Sequence, residues 1–405
     1  MTGIHGALSY QLSAINSGSA PLRLCAFALN SSSQAIQCLV ICLLLSTSSL
    51  WAGTGLEGFP PIYENWETIS TADGLPNDHI FWVEVDDVRK DRVWLGTDDG
   101  LASYQWKDGT VEVFTPADGL GHQAVMSVAV DPVTGDVWAA TFGGLSLISG
   151  GKVAKNFTQV NSGLANDVVF AVIVEGRDVW AATIAGTSRY NIESGEWKIY
   201  SSLNMPTDEN WCYNLSSGDG KVFIAAWGGG IIEYEVEKDH FRHYIDPDGE
   251  FEIELFPNDG LVHNITTSPS YESGLLWATT YFGLSVYDFR RWKSYFDHDS
   301  GLASNFINFG RAKPGTHEGW ICTDKGLSVL NHDTNKWVTY TTTEDHGGKG
   351  WIRLHDGGER VSEREIETGV AHRFILSVDF FGDEVWVGTA HGLSHGTLTP
   401  AKPAE

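Results

Sequence analysis

The sequence is poor in cysteine, in basic residues and in every motif tied to a known catalytic chemistry. None of its five cysteines forms a C-x-x-C or C-x-x-C-H pair, so neither a zinc ribbon nor a c-type haem is indicated. Cys212 and Cys322 fall in repeat units that are not neighbours, which argues against a disulfide and for small buried apolar residues. Lys and Arg number 26 against 52 Asp and Glu, for a net charge of −26. A surface this negative repels nucleic acid and anionic lipid head groups. G-x-S-x-G, H-E-x-x-H and a phosphate-cradling glycine loop are all missing. Acid pairs such as Asp98-Asp99 suit general acid–base work, but chance pairs are expected among so many carboxylates.

Charge is also nearly absent at the front, where Arg23 alone precedes Glu57. An apolar stretch from Ala35 to Ala52 peaks at LVICLLL (39–45). It is short and is followed by Ser and Thr, as in a secretory signal with cleavage after Ala52. Residues 1–52 are therefore expected to be a signal peptide or an N-terminal anchor, and 53–65 a linker. On this reading the protein is exported, periplasmic or extracellular, and meets a membrane only through that segment if it is left uncleaved.

Glycine (45) and tryptophan (16), by contrast, are plentiful, and both follow one phrase of twelve residues. It reads VWLGTDDGLASY (93–104), VWAATFGGLSLI (137–148), VWAATIAGTSRY (179–190), VFIAAWGGGIIE (222–233), LWATTYFGLSVY (276–287), GWICTDKGLSVL (319–330) and VWVGTAHGLSHG (385–396). The starts lie 44, 42, 43, 54, 43 and 66 residues apart. A strand-like unit at a period near 43 predicts a β-propeller with one blade per repeat. The first five residues read as a buried strand. The second carries an aromatic, Trp94, Trp138, Trp180, Phe223, Trp277, Trp320 or Trp386, suited to packing between blades. The eighth is Gly (100, 144, 186, 229, 283, 326, 392), expected to supply positive φ in a tight hairpin.

In blade one an inner strand (80–86) precedes the phrase, and an outer strand (110–115) and a polar link (116–123) follow it. The expected fold is all-β: seven four-stranded antiparallel blades over 66–396, with 397–405 as a tail. Too few residues follow the seventh phrase to make its outer strand. WETIS (66–70) is expected to complete blade seven and close the ring, removing an exposed sheet edge.

The pattern v-W-i-G-T-x-x-G-L-x-x-y after a D-G-L-x-x-N link resembles the two-component-regulator propeller repeat. That family builds periplasmic sensor domains of bacterial hybrid histidine kinases and also standalone exported proteins. The resemblance covers about 66–396 and implies a sensor-like role. Blade four departs from it, with Phe223 for Trp, Ala226 for Thr and no Gly-Leu in its link. A kinase half has no counterpart in the residues after 396.

Function is expected on the face where the phrase turns and the links meet, since insertions there are tolerated and carry function. Both departures from the period fall in links, within 243–260 and 344–370. The turns place Phe142, Trp227, Tyr281, Phe282 and His391 on that face. The links add Asn77, Asp78, His79, His122, Asn166, Asp167, Trp211, His263, Asn264, Asn305, His372 and Arg373. Flat aromatic faces beside amides and carboxylates suit a small polar or sugar-like ligand. The 344–370 insertion carries Trp351 and Arg353, suited to an anionic or sugar-like group or to a mixed-charge surface loop. His122, His263 and His372 share a link position but sit on separate blades, which favours link hydrogen bonds over a metal. Asp246, Asp248 and Glu250 resemble a fragment of a calcium loop without its full pattern; no other cofactor is indicated. Three readings compete: a ligand-binding or sensor-like propeller for a small molecule or carbohydrate, a scaffold for a protein partner, and a propeller lyase or glycosidase.

Overall fold

Each phrase folds as the second and third strands of a blade. In blade one Arg92–Thr97 turns back into Gly100–Gln105, with Thr97 opposite Gly100 and two residues between. Gly100 takes φ +130°, and the Thr97 hydroxyl caps the turn by donating to the Gly100 carbonyl (2.8 Å). Thr141, Thr183, Thr280, Thr323 and Thr389 make the same bond in their blades. The fifth position of the phrase is therefore Thr for a reason that burial alone does not supply.

The computed structural model describes residues 56–249, 258–343 and 348–398. The expected signal or anchor (1–52) lies outside the described residues, as does Glu250. Seven sheets follow one another in chain order, each starting with an inner strand: Ile80–Val85, Val125–Val130, Val169–Glu175, Cys212–Gly218, Thr266–Glu272, Ile307–Ala312 and Ile375–Phe381. Blade seven is completed by Asn65–Ile69, antiparallel to Gly392–Thr397 with Trp66 opposite Gly396. The ring is thus a seven-bladed propeller closed by the front of the chain.

The phrase aromatics are the core. Trp138, Trp180, Trp277, Trp320 and Trp386 are buried to 2% exposure or less. Several reach a tyrosine of the next blade, as in Trp386–Tyr104 (6.1 Å), Trp138–Tyr190 (6.0 Å) and Trp180–Tyr234 (5.8 Å). Gly319 is small because a Cβ there would run into the ring of Trp277. Burial of each such ring contributes about 4 kcal/mol or more in transfer free energy, an upper figure because unfolded chains are already partly compact.

Three features differ from the sequence-based expectation. In blade four the turn is one residue longer: Ala226 lies opposite Gly230, and positive φ falls on Gly228 and Gly230, not on Gly229. Ala226 has no hydroxyl, and Thr266 of blade five donates to the Gly230 carbonyl in its place (2.8 Å). Blade six is not four-stranded. Residues expected as a loop form two more strands, Gly350–Asp356 and Glu359–Ile366, giving a six-stranded sheet. Finally, the described part of the expected linker is packed. Tyr63 is fully buried, its N–H donates to the Tyr340 hydroxyl (2.9 Å) and its own hydroxyl donates to the Asp383 carbonyl (2.9 Å). Glu64 pairs with Arg364 of the added hairpin.

Candidate functional site: the mouth of the channel

Every inner strand carries a bulge at the same place. The register slips between Ile80 and Trp82, Val125 and Ser127, Val169 and Ala171, Cys212 and Asn214, Thr266 and Ser268, Ile307 and Phe309, and Ile375 and Ser377. A bulge resets the alternation of a strand and re-aims one side chain. Here it lets consecutive residues, such as Phe81 with Trp82 and Asn308 with Phe309, face the same cavity. The bulged residues Phe81, Met126, Phe170, Tyr213, Asn308 and Leu376 line the upper end of the channel. Phe306 and Phe374, the last residues of their links, add two more rings, and Tyr281 comes from the turn of blade five. The cup so formed is about 320 Å³.

Its floor is Trp82 against Phe309, edge to face at 5.0 Å. These two side chains are 6% and 5% exposed and also line a second chamber of about 220 Å³ below. The Arg311 guanidinium lies over both rings there, 5.6 and 5.8 Å from their centroids. It pairs with Asp379 (2.5 Å) and Glu84 (3.4 Å), and the Trp82 indole N–H donates to Glu84 (3.3 Å). Burial pushes the Glu84 carboxyl up to about 7 despite the opposing pull of Arg311.

Around the cup the rings form a continuous crescent. Phe142 meets Phe170 (5.6 Å), Phe170 meets Trp211 (5.7 Å) and Tyr213 (5.2 Å), and Trp211 stacks on Trp227 (5.3 Å). Trp227 meets Tyr281 edge-on (5.2 Å), and Tyr281 stacks on Phe306 (4.1 Å, 9° between planes). Phe142, Trp211 and Phe306 are each more than a third exposed. The longer turn of blade four places Trp227 in this chain of rings; its N–H donates to the Trp211 carbonyl (2.8 Å) and it bridges to Ile265. The opposite side is polar, with His79 Nδ1 bonded to Asp98 (2.8 Å) and Asn77 to Asp99 (2.7 Å).

Of the residues singled out from sequence, Phe142, Trp211, Trp227 and Tyr281 come together in the crescent, and His122 lies at its end, 6.1 Å from Phe142. His263 pairs with Phe282 (4.1 Å) and His372 with His391 (4.5 Å), away from the cup lining. His122, His263 and His372 each accept, through Nδ1, the N–H two residues on (3.0, 2.9 and 3.1 Å). Asn77 and Asn166 do the same in their links. These histidines brace the link turns through Nδ1. Among the described residues no three or more His, Cys, Asp or Glu gather as metal ligands. Arg373 is exposed beside Phe374. Asp246 is buried, accepts the Gly249 N–H (3.1 Å), and is pushed up to about 6 by burial and by Asp248. Trp351 and Arg353 lie on the fifth strand of blade six, about 19 Å out from the inner strand at usual strand spacing. Arg353 is bonded there to Glu363 (2.8 Å). They do not join the mouth.

Phe81, Met126, Phe170, Tyr213, Phe306, Phe374 and Leu376 were not foreseen. Their signal was two large residues in succession where a link gives way to an inner strand.

No family model matches the sequence, and no curated protein matches it. Among solved structures, the fold is similar to the extracellular domain of a hybrid two-component system protein from B. thetaiotaomicron (TM-score 0.51, 15% identity). That match covers 85% of this chain and 54% of the other, so the chain spans about half the length of that neighbour. It is similar to the computationally designed Ika8 protein (TM-score 0.50, 11% identity, 80% of this chain and 96% of the other). The U3-55K protein is a further neighbour (TM-score 0.56, 10% identity, 84% of this chain and 100% of the other). At these identities the likeness is one of fold.

Proposed function

We propose that this is an exported, sensor-like propeller that receives a small molecule at the aromatic mouth of its channel. The observation that carries the reading is the unbroken chain of seven rings from Phe142 to Phe306, part exposed, around a cup with a closed floor. Contiguous exposed apolar surface of this kind marks binding sites. The repeat pattern and the likeness to the extracellular domain of a hybrid two-component system protein support the sensor role. Binding without turnover follows, with the signal passed to another protein.

A thermal-shift screen of the full chain against saccharides, ring compounds and metal ions tests it. At least one class of small molecule is expected to raise the melting point saturably, and Trp227→Ala and Tyr281→Ala to reduce that rise tenfold or more in ligand requirement. If no small molecule shifts the melting point, the receiving-site reading is wrong.

A scaffold role is the second reading, favoured by the hairpin added to blade six. Seven of the eight residues of its edge strand Glu359–Ile366 are exposed. Its charges are met locally, Lys349 by Glu365, and Arg353 and Arg360 by Glu363. Deleting 344–370 and measuring co-purifying protein distinguishes the two readings.

A further inference from the structure

The polarity of the cup narrows what it can take. Walls and floor are almost wholly apolar, built from Phe81, Phe170, Tyr213, Phe374, Trp82 and Phe309 among others. Among the described lining residues, three, His79, Asn214 and Asn308, bring polar side chains without an aromatic body large enough to stack. Each of these has already committed one atom. His79 Nδ1 holds Asp98, Asn214 Oδ1 accepts the Leu215 N–H (2.8 Å), and Asn308 Nδ2 donates to the Ile375 carbonyl (2.8 Å). The hydroxyls of Tyr213 and Tyr281 are turned to each other, and burial raises both phenols above the ordinary range.

A monosaccharide brings about five hydroxyls, and each one buried without a partner costs about 1–3 kcal/mol. The cup has too few groups to meet them. Nor is it built for charge. Among the described residues no Lys, Arg, Asp or Glu lines it, so an ion would enter undressed. The floor rings already carry Arg311 on their far faces, which disfavours a second cation above them. A volume of about 320 Å³ lies at the small end of ligand pockets, enough for one or two fused rings.

We infer that the cup takes a neutral, flat ring compound with one or two hydrogen-bonding substituents, of phenol or indole type, and not a sugar. The ring fills the space over Trp82 and Phe309, and its polar edge turns to Asn308 and His79. The inference rests on the reading of the mouth as a receiving site and specifies its ligand class.

The test uses the full chain with 2-naphthol and indole as ring probes, and glucose, galactose and maltose as sugar probes. Binding is followed by calorimetry and by thermal shift at pH 7. Two variants block the cup without emptying the core, Met126→Trp and Leu376→Trp, each checked for folding by its melt. Saturable binding of a ring probe, weakened at least tenfold by either folded variant, is the expected result. Binding of a ring probe that both folded variants leave unchanged would place it outside the cup and overturn the inference. Saturable sugar binding that both variants abolish, with no ring probe bound, would also overturn it, yet leave the mouth standing as a receiving site. Silence of every probe in both methods overturns the inference; the reading of the mouth itself fails only if the wider screen is silent too.

Discussion

The upper and lower halves of the channel are lined largely by the same inner strands, yet their chemistry differs: rings dominate above, and among the described residues charged groups and serine hydroxyls line only the chamber below. Above Trp82 and Phe309 the lining is rings, Met and Leu with His79, Asn214 and Asn308; below, aliphatic residues of blades two to five share the wall with Glu84, Arg311, Ser216, Ser217 and Ser270. Strand alternation alone would give both halves one channel-facing residue in two. The bulge near the top of each inner strand breaks that rule only in the upper half. It crowds the mouth with large side chains; the chamber below, about 220 Å³ against about 320 Å³, carries the charged groups and serine hydroxyls. The lower half serves the ring: serines and an aspartate there pin one blade to the next. Ser127 accepts the Val172 N–H (3.2 Å), Ser216 that of Tyr271 (3.1 Å), Ser270 that of Ala312 (2.9 Å) and Asp379 that of Val85 (2.7 Å). Among the described residues the upper half has a bond of this kind at Asn308, which donates to the Ile375 carbonyl (2.8 Å), while its rings meet one another by ring contacts.

If that division is right, the largest effect follows from the lower half. Arg311→Met would leave Glu84 and Asp379 facing each other without their shared cation. Breaking a buried pair by removing one partner costs about 3–5 kcal/mol. Chemical denaturation at pH 8 is expected to show this loss, and a smaller one at pH 5, where Glu84 takes up a proton. A loss below about 1 kcal/mol at pH 8 would mean that the cluster is solvated and does not clasp blades six, seven and one.

The next effect is the pH dependence of Glu84 itself. Its carboxyl rises from the ordinary 4.5 to about 7, chiefly through burial. The folded state therefore holds a proton that the unfolded state has released between these values. Stability from this group is fully present below about pH 4.5, falls as pH rises, and is lost above about 7. The change is about 3 kcal/mol between the two limits. Glu84→Gln is expected to flatten the stability profile in that window. Arg311, Asp379 and the more distant Asp87 face the same cluster; burial and the charge of Asp379 also raise Asp87, which broadens the transition. An unchanged slope in Glu84→Gln would assign the pH dependence elsewhere.

The floor is where the halves meet, and there the effect is intermediate. Phe309→Leu keeps an apolar side chain but removes the edge of the Trp82 pair. A loss of about 1–2 kcal/mol is expected in urea melts.

Much of this was legible in the sequence, because repetition makes the blade visible before any one strand is. The Trp and Gly positions, the seven sheets and the closing strand near Trp66 all follow from one period. Blade four was misread for a local reason. Three consecutive glycines hide which one takes positive φ, and only the pairing of Ala226 with Gly230 reveals the longer turn. The hairpin of blade six was read as loop because five of the eight residues of its edge strand are charged; pairing of Gly350–Asp356 with Lys336–Thr342, and of the edge strand with Gly350–Asp356, makes both strands. The crescent was half seen, and of the cup lining His79 and Tyr281 alone. Trp211, Trp227 and Tyr281 stood out at turns and links. Phe81, Phe170 and Tyr213 looked like ordinary strand residues, since a bulge is a matter of register between two strands and leaves little mark on either.

The smallest effect belongs to the rim. Trp211 is 37% exposed, stacks on Trp227 and meets Phe170 at a tilt, while Trp180 is 1% exposed. Trp180→Ala removes a core ring, a change that costs about 3–5 kcal/mol. Trp211→Ala gives up only ring contacts worth about 0.5–1.5 kcal/mol, and part of its area is in water already. A loss near or below 1 kcal/mol in urea melts is expected for Trp211→Ala, together with weakened capture of whatever binds the crescent. A loss as large as that of Trp180→Ala would make the rim a part of the core, and the upper half of the channel would then hold the ring together just as the lower half does.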